Sequence, residues 1–153
     1  MNDLVSAATR SRMMSSIKGK HTKPELVVRR FLHKSGFRFR LHRKDLPGKP
    51  DIVLPKYRLV IFVHGCFWHL HAGCFYSNIP VSREDFWRTK LEGNALRDVS
   101  HVSELLGSGW RVLIIWECGV KHSVSKFGEL LEFIKAEKGF FEWPVLPPRT
   151  KSD

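Results

Sequence analysis

The chain has 153 residues, of which 42% are apolar, and this composition is typical of one globular domain and excludes a largely disordered chain. The net charge of +11 favours a polyanionic partner, with nucleic acid as the leading candidate. No apolar run is long enough to cross a bilayer, and no long basic amphipathic helix has a clean apolar face, so a membrane is the weaker alternative. Charge alone also leaves open an ordinary solvated basic surface.

Residues 1–21 are basic and rich in serine, which predicts an N-terminal arm that faces DNA or a flexible end. The first clear element is a helix within residues 22–36. Thr22 and Glu25 have the spacing of a capping box, and Gly36 lies where a helix commonly ends. Residues 37–42 then alternate between apolar and basic side chains, which predicts a half-buried strand with a basic outer face.

The later elements predict a mixed β-sheet with helices on its faces, an α/β fold in one domain. Ser82 is placed to cap the longest helix, with Asp85 three residues further on. The remaining segments, in chain order, are strands over 51–54 and 58–65, a helix over 82–106, a strand over 111–117, a helix over 123–137 and a proline-rich tail over 143–153 that wraps the surface or frays.

The three cysteines predict a metal site. Their odd number and the lack of a signal peptide argue against a disulfide framework and indicate a reducing, intracellular compartment. Cys66, His71 and Cys74 lie close in sequence, and Cys118 ends the second fully apolar strand. Adjacent strands would bring these ends together, and three thiolates with one imidazole make a closed, structural zinc site. The alternative is three unrelated buried thiols.

A carboxylate and an imidazole lie at the ends of two consecutive strands. Asp51 opens one strand and His64 ends the next, so a hairpin can bring them close together. Such a pair near a phosphate suits metal-assisted hydrolysis, and Glu25 and Asp98 could complete the set. The alternatives are plain: Asp51 caps a loop, Glu25 serves only the capping box, and Asp98 is an ordinary exposed helix residue.

Phe67 and Trp68 stand between the predicted metal ligands, where a turn pinned by zinc leaves little room for core packing. Exposed paired aromatics on a basic protein indicate a surface that stacks on bases or wedges between them. Trp87 could join this surface, although a core position is equally open because Phe86 and Trp87 cannot both point inward.

Four ordered motifs, "ATRSRMMSSI", "LPGKPDIVL", "VIFVHGCFWHLH" and "GWRVLIIWEC", give the chain a strong resemblance to the very-short-patch mismatch repair endonucleases. The resemblance covers nearly the whole chain. It implies a restriction-endonuclease-like fold and an enzyme that nicks DNA 5′ to the thymine of a T:G mispair, the product of 5-methylcytosine deamination. It further implies a monomer on double-stranded DNA in the bacterial cytoplasm, with downstream repair proteins as candidate partners.

The resemblance also implies roles for individual residues. Asp51 matches the main magnesium ligand, assisted by the backbone carbonyl of Val63. His64 and His69 match the catalytic histidines, with His69 as the general base on the attacking water. Asp98 would hydrogen-bond and orient the base, and Glu25 matches a further acidic residue of the active site. The structural zinc ligands would be Cys66, His71, Cys74 and Cys118. The residues that intercalate beside the mispair would be Phe67, Trp68 and Trp87 from the major groove, with Met14 of the arm in the minor groove.

Two departures from the family pattern bear on these roles. Position 63 is valine where threonine is expected, a change that leaves a carbonyl ligand intact. The interval between His71 and Cys74 holds two residues where one is expected, so the zinc loop should differ in shape.

Two rival functions remain at this stage. A non-catalytic, zinc-stabilised DNA-binding module would explain the charge, the cysteines and the aromatics, but it leaves Asp51, His64, His69 and Asp98 without a role. A zinc hydrolase built on "HLH" would need further ligands in a recognisable array.

Overall fold

The computed structural model describes residues 21–151, so Met14 and the predicted N-terminal arm up to residue 20 lie outside the described residues. The helices are α1 (Lys23–Lys34), α2 (Glu84–Gly107), α3 (Glu117–His122) and α4 (Gly128–Lys135). The strands are β1 (Arg40–Leu41), β2 (Ile52–Leu54), β3 (Leu59–His64), β4 (Arg111–Trp116) and β5 (Phe140–Trp143).

The five strands form one mixed sheet in the order β1-β2-β3-β4-β5, and the prediction of a mixed α/β sheet is confirmed. β2 runs antiparallel to both β1 and β3, whereas β3, β4 and β5 are parallel to one another. β3 and β4 are buried almost throughout, as their apolar sequences predict. Because these two central strands are parallel, their carboxyl ends lie side by side, with His64 opposite Trp116.

Apolar clusters cover both faces of the sheet. One face packs against α1 and α4, and its fully buried members include Val28, Leu32, Leu130 and Ile134. The other face contains Leu105 of α2 together with Cys66, Cys74 and Cys118. The second face therefore differs from the first in holding all three cysteines.

The predicted capping signals hold for α1 but not for α2. Thr22 Oγ1 accepts a hydrogen bond from the Glu25 N–H at 3.3 Å, and Gly36 ends the helix with φ 89°. The prediction that Ser82 caps α2 is wrong, since the helix begins at Glu84. Arg83, with φ 58°, occupies the cap position without a side-chain hydrogen bond to the helix. The acidic residues of the first turn interact favourably with the helix N-terminus instead.

β1 and β5 differ from the prediction, whereas the tail takes one of its two predicted forms. β1 pairs over two residues of the predicted 37–42, although Phe37 is buried and Arg38 exposed as the alternation predicts. β5 was not predicted, because its four residues give too short a pattern. In the tail, Arg149 and Lys151 form backbone hydrogen bonds with residues 73–75. The described part of the tail therefore lies against the surface. Among the described helices, none is long and apolar enough to span a bilayer.

Candidate active site and metal cluster

Four side chains meet beyond the ends of β3 and β4, and we call them the Cys–His cluster: Cys66, His71, Cys74 and Cys118. All four are buried, and their ligand atoms lie within 4.8 Å of one another. The prediction that Cys118 ends a strand is wrong, since β4 ends at Trp116 and Cys118 lies in the first turn of α3. This turn directs the Cys118 N–H to the Cys66 sulfur at 3.3 Å.

The donor chemistry of the cluster fits a tetrahedral metal ion. The three cysteines are free thiols, and His71 Nδ1 lies 3.4 Å from Cys118 Sγ. A hydrogen bond from Cys118, with help from His71, lowers the pKa of the Cys66 thiol to about 4, which favours its thiolate form. The same hydrogen bond raises the pKa of Cys118. A buried cation would neutralise the thiolate, and three sulfurs with one imidazole nitrogen could hold such an ion.

The loop that carries His71 and Cys74 is tightly held. Ser77 Oγ donates to the carbonyl oxygens of both ligands, at 2.7 Å to His71 and 2.9 Å to Cys74. The interval between His71 and Cys74 is one residue longer than the family pattern predicts. It contains Gly73, whose φ of 70° lies in the left-handed region that glycine adopts readily. The longer interval therefore leaves the four ligands together.

Antiparallel pairing of β2 with β3 places Asp51 beside the end of β3. Asp51 Oδ2 accepts a hydrogen bond from the Val63 N–H at 2.8 Å. Burial raises the pKa of the Asp51 carboxyl to about 7, and the nearby charge of Glu25 adds to this effect. A carboxylate and the backbone of Val63 are thus held together in a setting that favours a compensating cation.

Two stacked histidines and a second carboxylate adjoin this carboxyl. The rings of His64 and His69 lie parallel, 3.8 Å apart, and His69 Nδ1 is 2.6 Å from Asp98 Oδ2 on α2. Because a carboxylate only accepts, His69 donates this hydrogen bond from Nδ1. Burial lowers the pKa of His64 well below its usual range, so its ring is neutral.

One cavity of about 330 Å³ unites most of the predicted catalytic residues. Its lining includes two carboxylates, two histidines, two basic side chains and the residue whose N–H contacts Asp51: Asp51, Asp98, His64, His69, Lys49, Arg97 and Val63. Carboxylates, imidazoles and cations around one cavity can bind a metal ion, activate water and attract a phosphate.

Glu25 lies behind this cavity instead of lining it. Its side chain is 1% exposed and accepts hydrogen bonds from His42 Nε2 at 2.9 Å and Arg29 Nη1 at 3.2 Å. The sequence analysis missed His42, which also donates its N–H to the Asp51 carbonyl at 3.0 Å. His42 therefore connects the Glu25 carboxylate to the backbone of Asp51, through a contact that no local motif announces.

The three predicted aromatics form one cluster at the rim of the Cys–His loop. Phe67, Trp68 and Trp87 are each half-buried and meet edge to face, with ring centroids 5.1–5.9 Å apart. Trp87 joins this cluster instead of the core, while Phe86 is 43% exposed. Asn94 of α2, which the sequence analysis missed, donates to the Trp68 carbonyl at 3.1 Å and ties the aromatics to the helix that carries Asp98.

A mixed sheet flanked by helices, with a carboxylate at the end of its central strands, defines a restriction-endonuclease-like α/β protein. Comparison with known proteins identifies the family. The family model for DNA mismatch endonuclease Vsr matches residues 2–75. The chain is 43% identical over 121 residues to the DNA mismatch endonuclease Vsr of Escherichia coli K12, covering 79% of this chain and 77% of that protein.

Two nicking enzymes are similar over a comparable length. The chain is 52% identical over 118 residues to the type II nicking enzyme V.XorIIP of Xanthomonas oryzae pv. oryzae, covering 77% of this chain and 86% of that protein. It is 46% identical over 122 residues to the type II nicking enzyme V.NmeAIP of Neisseria meningitidis, covering 80% and 86%. The chain therefore belongs to the Vsr family of DNA mismatch endonucleases, as its motifs predict.

Proposed function

We propose that this protein is a magnesium-dependent endonuclease that nicks double-stranded DNA 5′ to the thymine of a T:G mispair, and so starts very short patch repair in the bacterial cytoplasm. The observation that carries the proposal is the cavity in which Asp51, His64, His69 and Asp98 meet. Membership of a family whose relatives are named mismatch endonucleases and nicking enzymes supports the same conclusion. The net charge of +11 suits a DNA substrate bound by a monomer.

In this proposal Asp51 and the Val63 carbonyl hold the magnesium ion. Both offer hard oxygen donors, which magnesium prefers, and burial raises the pKa of the Asp51 carboxyl, an effect that a bound cation would offset. A bound magnesium ion supplies Lewis-acid stabilisation to the reacting phosphate. The departure at position 63 leaves this ligand set unchanged, since only the backbone of Val63 takes part.

His69 acts as the general base. Its Nδ1–H donates to Asp98, so its Nε2 carries the lone pair that takes a proton from the attacking water. The same hydrogen bond stabilises the imidazolium ion that results. Neutral His64, stacked on His69, completes the catalytic pair, and Glu25 supports Asp51 through His42.

The Cys–His cluster serves a separate purpose. We assign it a structural zinc ion, because four protein ligands fill a tetrahedral shell and leave no position for a substrate. The cluster fixes the turn that presents Phe67 and Trp68, which, with Trp87, would enter the major groove beside the mispair. Met14, outside the described residues, would meet the minor groove.

The rival functions fit the geometry less well. A DNA-binding module gives no reason for the 2.6 Å contact between His69 and Asp98. A zinc hydrolase could draw on His64, His69 and Asp98, whose ligand atoms lie within 4.8 Å of one another. However, the two rings are nearly parallel and stacked face to face, so in-plane lone pairs do not converge on one ion.

A strand-specific nicking assay tests the proposed function. Duplexes of identical sequence, with T:G, T:A or C:G at one position, are labelled on each strand in turn and incubated with the protein and magnesium. We expect one nick 5′ to the thymine of the T:G duplex and none in the matched duplexes. Tight binding without any nick would favour the DNA-binding module, and nicking that requires added zinc in place of magnesium would favour the zinc hydrolase.

A further inference from the structure

His64 is buried without a polar contact to hold its ring. It is 5% exposed, and Nδ1 has no hydrogen-bond partner among residues 21–151. Its neighbours are instead other rings: His69 in parallel at 3.8 Å, Trp116 edge to face at 5.3 Å and Phe62 tilted at 5.5 Å. The orientation of the His64 imidazole therefore depends on how firmly these rings are fixed.

Trp116 is itself held in place by a stacked ring and a hydrogen bond. It is 6% exposed and lies opposite His64 in the register of the parallel strands. Its ring stacks on His71 of the Cys–His cluster, with centroids 4.1 Å apart and planes 8° from parallel. Its Nε1–H donates to Glu142 Oε1 on β5 at 3.2 Å.

We infer that Trp116 is a positioning residue that aligns His64 for hydrolysis by connecting it to the Cys–His cluster. The rings form a continuous series, from His71 through Trp116 to His64 and then His69. This inference rests on the proposed function, in which His64 takes part in cleavage. It gives the cluster a second effect: besides stabilising the fold, it sets the geometry of the cavity through Trp116, which stacks on His71 and meets His64 edge to face.

Two substitutions separate the flat ring from the hydrogen bond. Trp116→Phe and Trp116→Leu both remove the Nε1–H and its contact with Glu142, but only phenylalanine keeps a planar face between His71 and His64. Single-turnover nicking is measured on the full-length, zinc-loaded protein at saturating T:G duplex, together with duplex affinity, melting temperature and zinc content. Trp110→Leu, in the half-buried residue that precedes the opposite end of β4, controls for the general effect of losing a tryptophan.

We expect Trp116→Leu to slow nicking by about 10- to 100-fold, because displacing a reacting group by about 1 Å has an effect of that order. Duplex affinity and zinc content should stay near the wild-type values. Trp116→Phe should lose about threefold or less, since the planar contact survives. Trp110→Leu should nick at about the wild-type rate once measured well below its melting temperature.

Several results would overturn the inference. One is a zinc-loaded Trp116→Leu variant that nicks at the wild-type rate, and another is an equal loss for leucine and phenylalanine. A loss confined to duplex affinity would do the same. If Trp116→Leu does not fold, Trp116→Met, which also lacks a planar ring, takes its place: it should slow nicking by about tenfold or more with zinc retained, and nicking at the rate of wild type or of Trp116→Phe would overturn the inference.

Failure of the proposed function gives a different pattern. Wild-type protein would then not nick the T:G duplex, or a His64→Ala variant would nick as fast as wild type, whatever the Trp116 variants do.

Discussion

The Cys–His cluster and the Asp51 cavity lie at the same end of the central strands, yet they are built on opposite principles. The cluster brings four ligand side chains together in a buried position. The cavity places the carboxylate of Asp51 beside the backbone of Val63, in an open space of about 330 Å³. A fully ligated ion can only stabilise structure, whereas a partly ligated ion keeps positions for a phosphate and a water molecule.

The donor atoms differ in the same way. Thiolate sulfur and imidazole nitrogen select zinc, whereas carboxylate and carbonyl oxygen suit magnesium. Two different ions can therefore occupy neighbouring sites without exchange, and removing either one should have a distinct effect.

The largest effect should come from breaking the closed site. Cys118→Ser removes one of four ligands, so we expect loss of about one zinc ion per chain and severe destabilisation, because structural zinc contributes on the order of 10 kcal/mol to folding. Elemental analysis and thermal unfolding measure both. Ser125→Ala, at an exposed position in the turn that follows α3, is the control. Active, folded wild-type protein without zinc would contradict the assignment.

Breaking the open site should abolish the reaction and spare the fold. Asp51→Asn removes the charged magnesium ligand but no phosphate contact, so we expect nicking to fall by about 1,000-fold or more while binding of the T:G duplex is largely kept. Calcium in place of magnesium should likewise permit binding without efficient cleavage. Asp45→Asn, at an exposed carboxylate of the same loop, is the matched control. Nicking by Asp51→Asn at the wild-type rate would mean that the metal site lies elsewhere.

A smaller loss should follow from removing the wedge that the closed site supports. Trp68→Ala should weaken binding of mismatched duplex by roughly 1–3 kcal/mol, the usual value for a base stacked on an aromatic ring, and should reduce the preference over matched duplex. Folding and zinc content should hardly change, because Trp68 is half-buried at the rim. The informative quantities are the mismatched-to-matched binding ratio and the melting temperature. A large fall in melting temperature with an unchanged ratio would identify Trp68 as a core residue.

An effect of similar size is a pH dependence of stability in the open site. Burial raises the pKa of Asp51 from 3.8 to about 7, so the fold favours its protonated form, and this contribution to stability is lost as the pH rises through about 7. Without divalent cations, wild type should therefore lose about 2 kcal/mol relative to Asp51→Asn between about pH 5.5 and 8.5. Denaturant titrations of both proteins give the difference. Magnesium at the higher pH should restore stability to wild type only; a constant difference across this range would contradict the prediction.

Local sequence patterns were sufficient for the elements that depend on near neighbours. The cap at Thr22 and the end at Gly36 are set within a few residues, and the apolar runs of β3 and β4 follow from burial on both faces. The Cys–His cluster was predictable because the chain has only three cysteines and three of the four ligands are cysteines. Even so, the sequence analysis placed Cys118 on a strand, since nothing in "WEC" shows that the chain turns into a helix after Trp116.

Contacts between distant segments were not predictable in the same way. His42 reaches Glu25 across 17 positions, and Trp116 reaches Glu142 across 26, so each contact depends on the finished sheet. The sequence likewise identified Glu25 and Asp51 as candidates but could not show that Glu25 lies behind the cavity. Ser82 failed as a cap because Arg83 takes a left-handed conformation that no local motif predicts.

The contrast between a closed and an open site is tested most directly by chelation of one wild-type preparation. The protein is treated with a chelator at a concentration that removes magnesium, then assayed for zinc and for nicking of the T:G duplex before and after each metal is added back. We predict that about one zinc ion stays bound, as four ligands imply, that nicking stops, and that magnesium alone restores it fully. Loss of zinc together with activity, and recovery that requires zinc and not magnesium, would contradict the account.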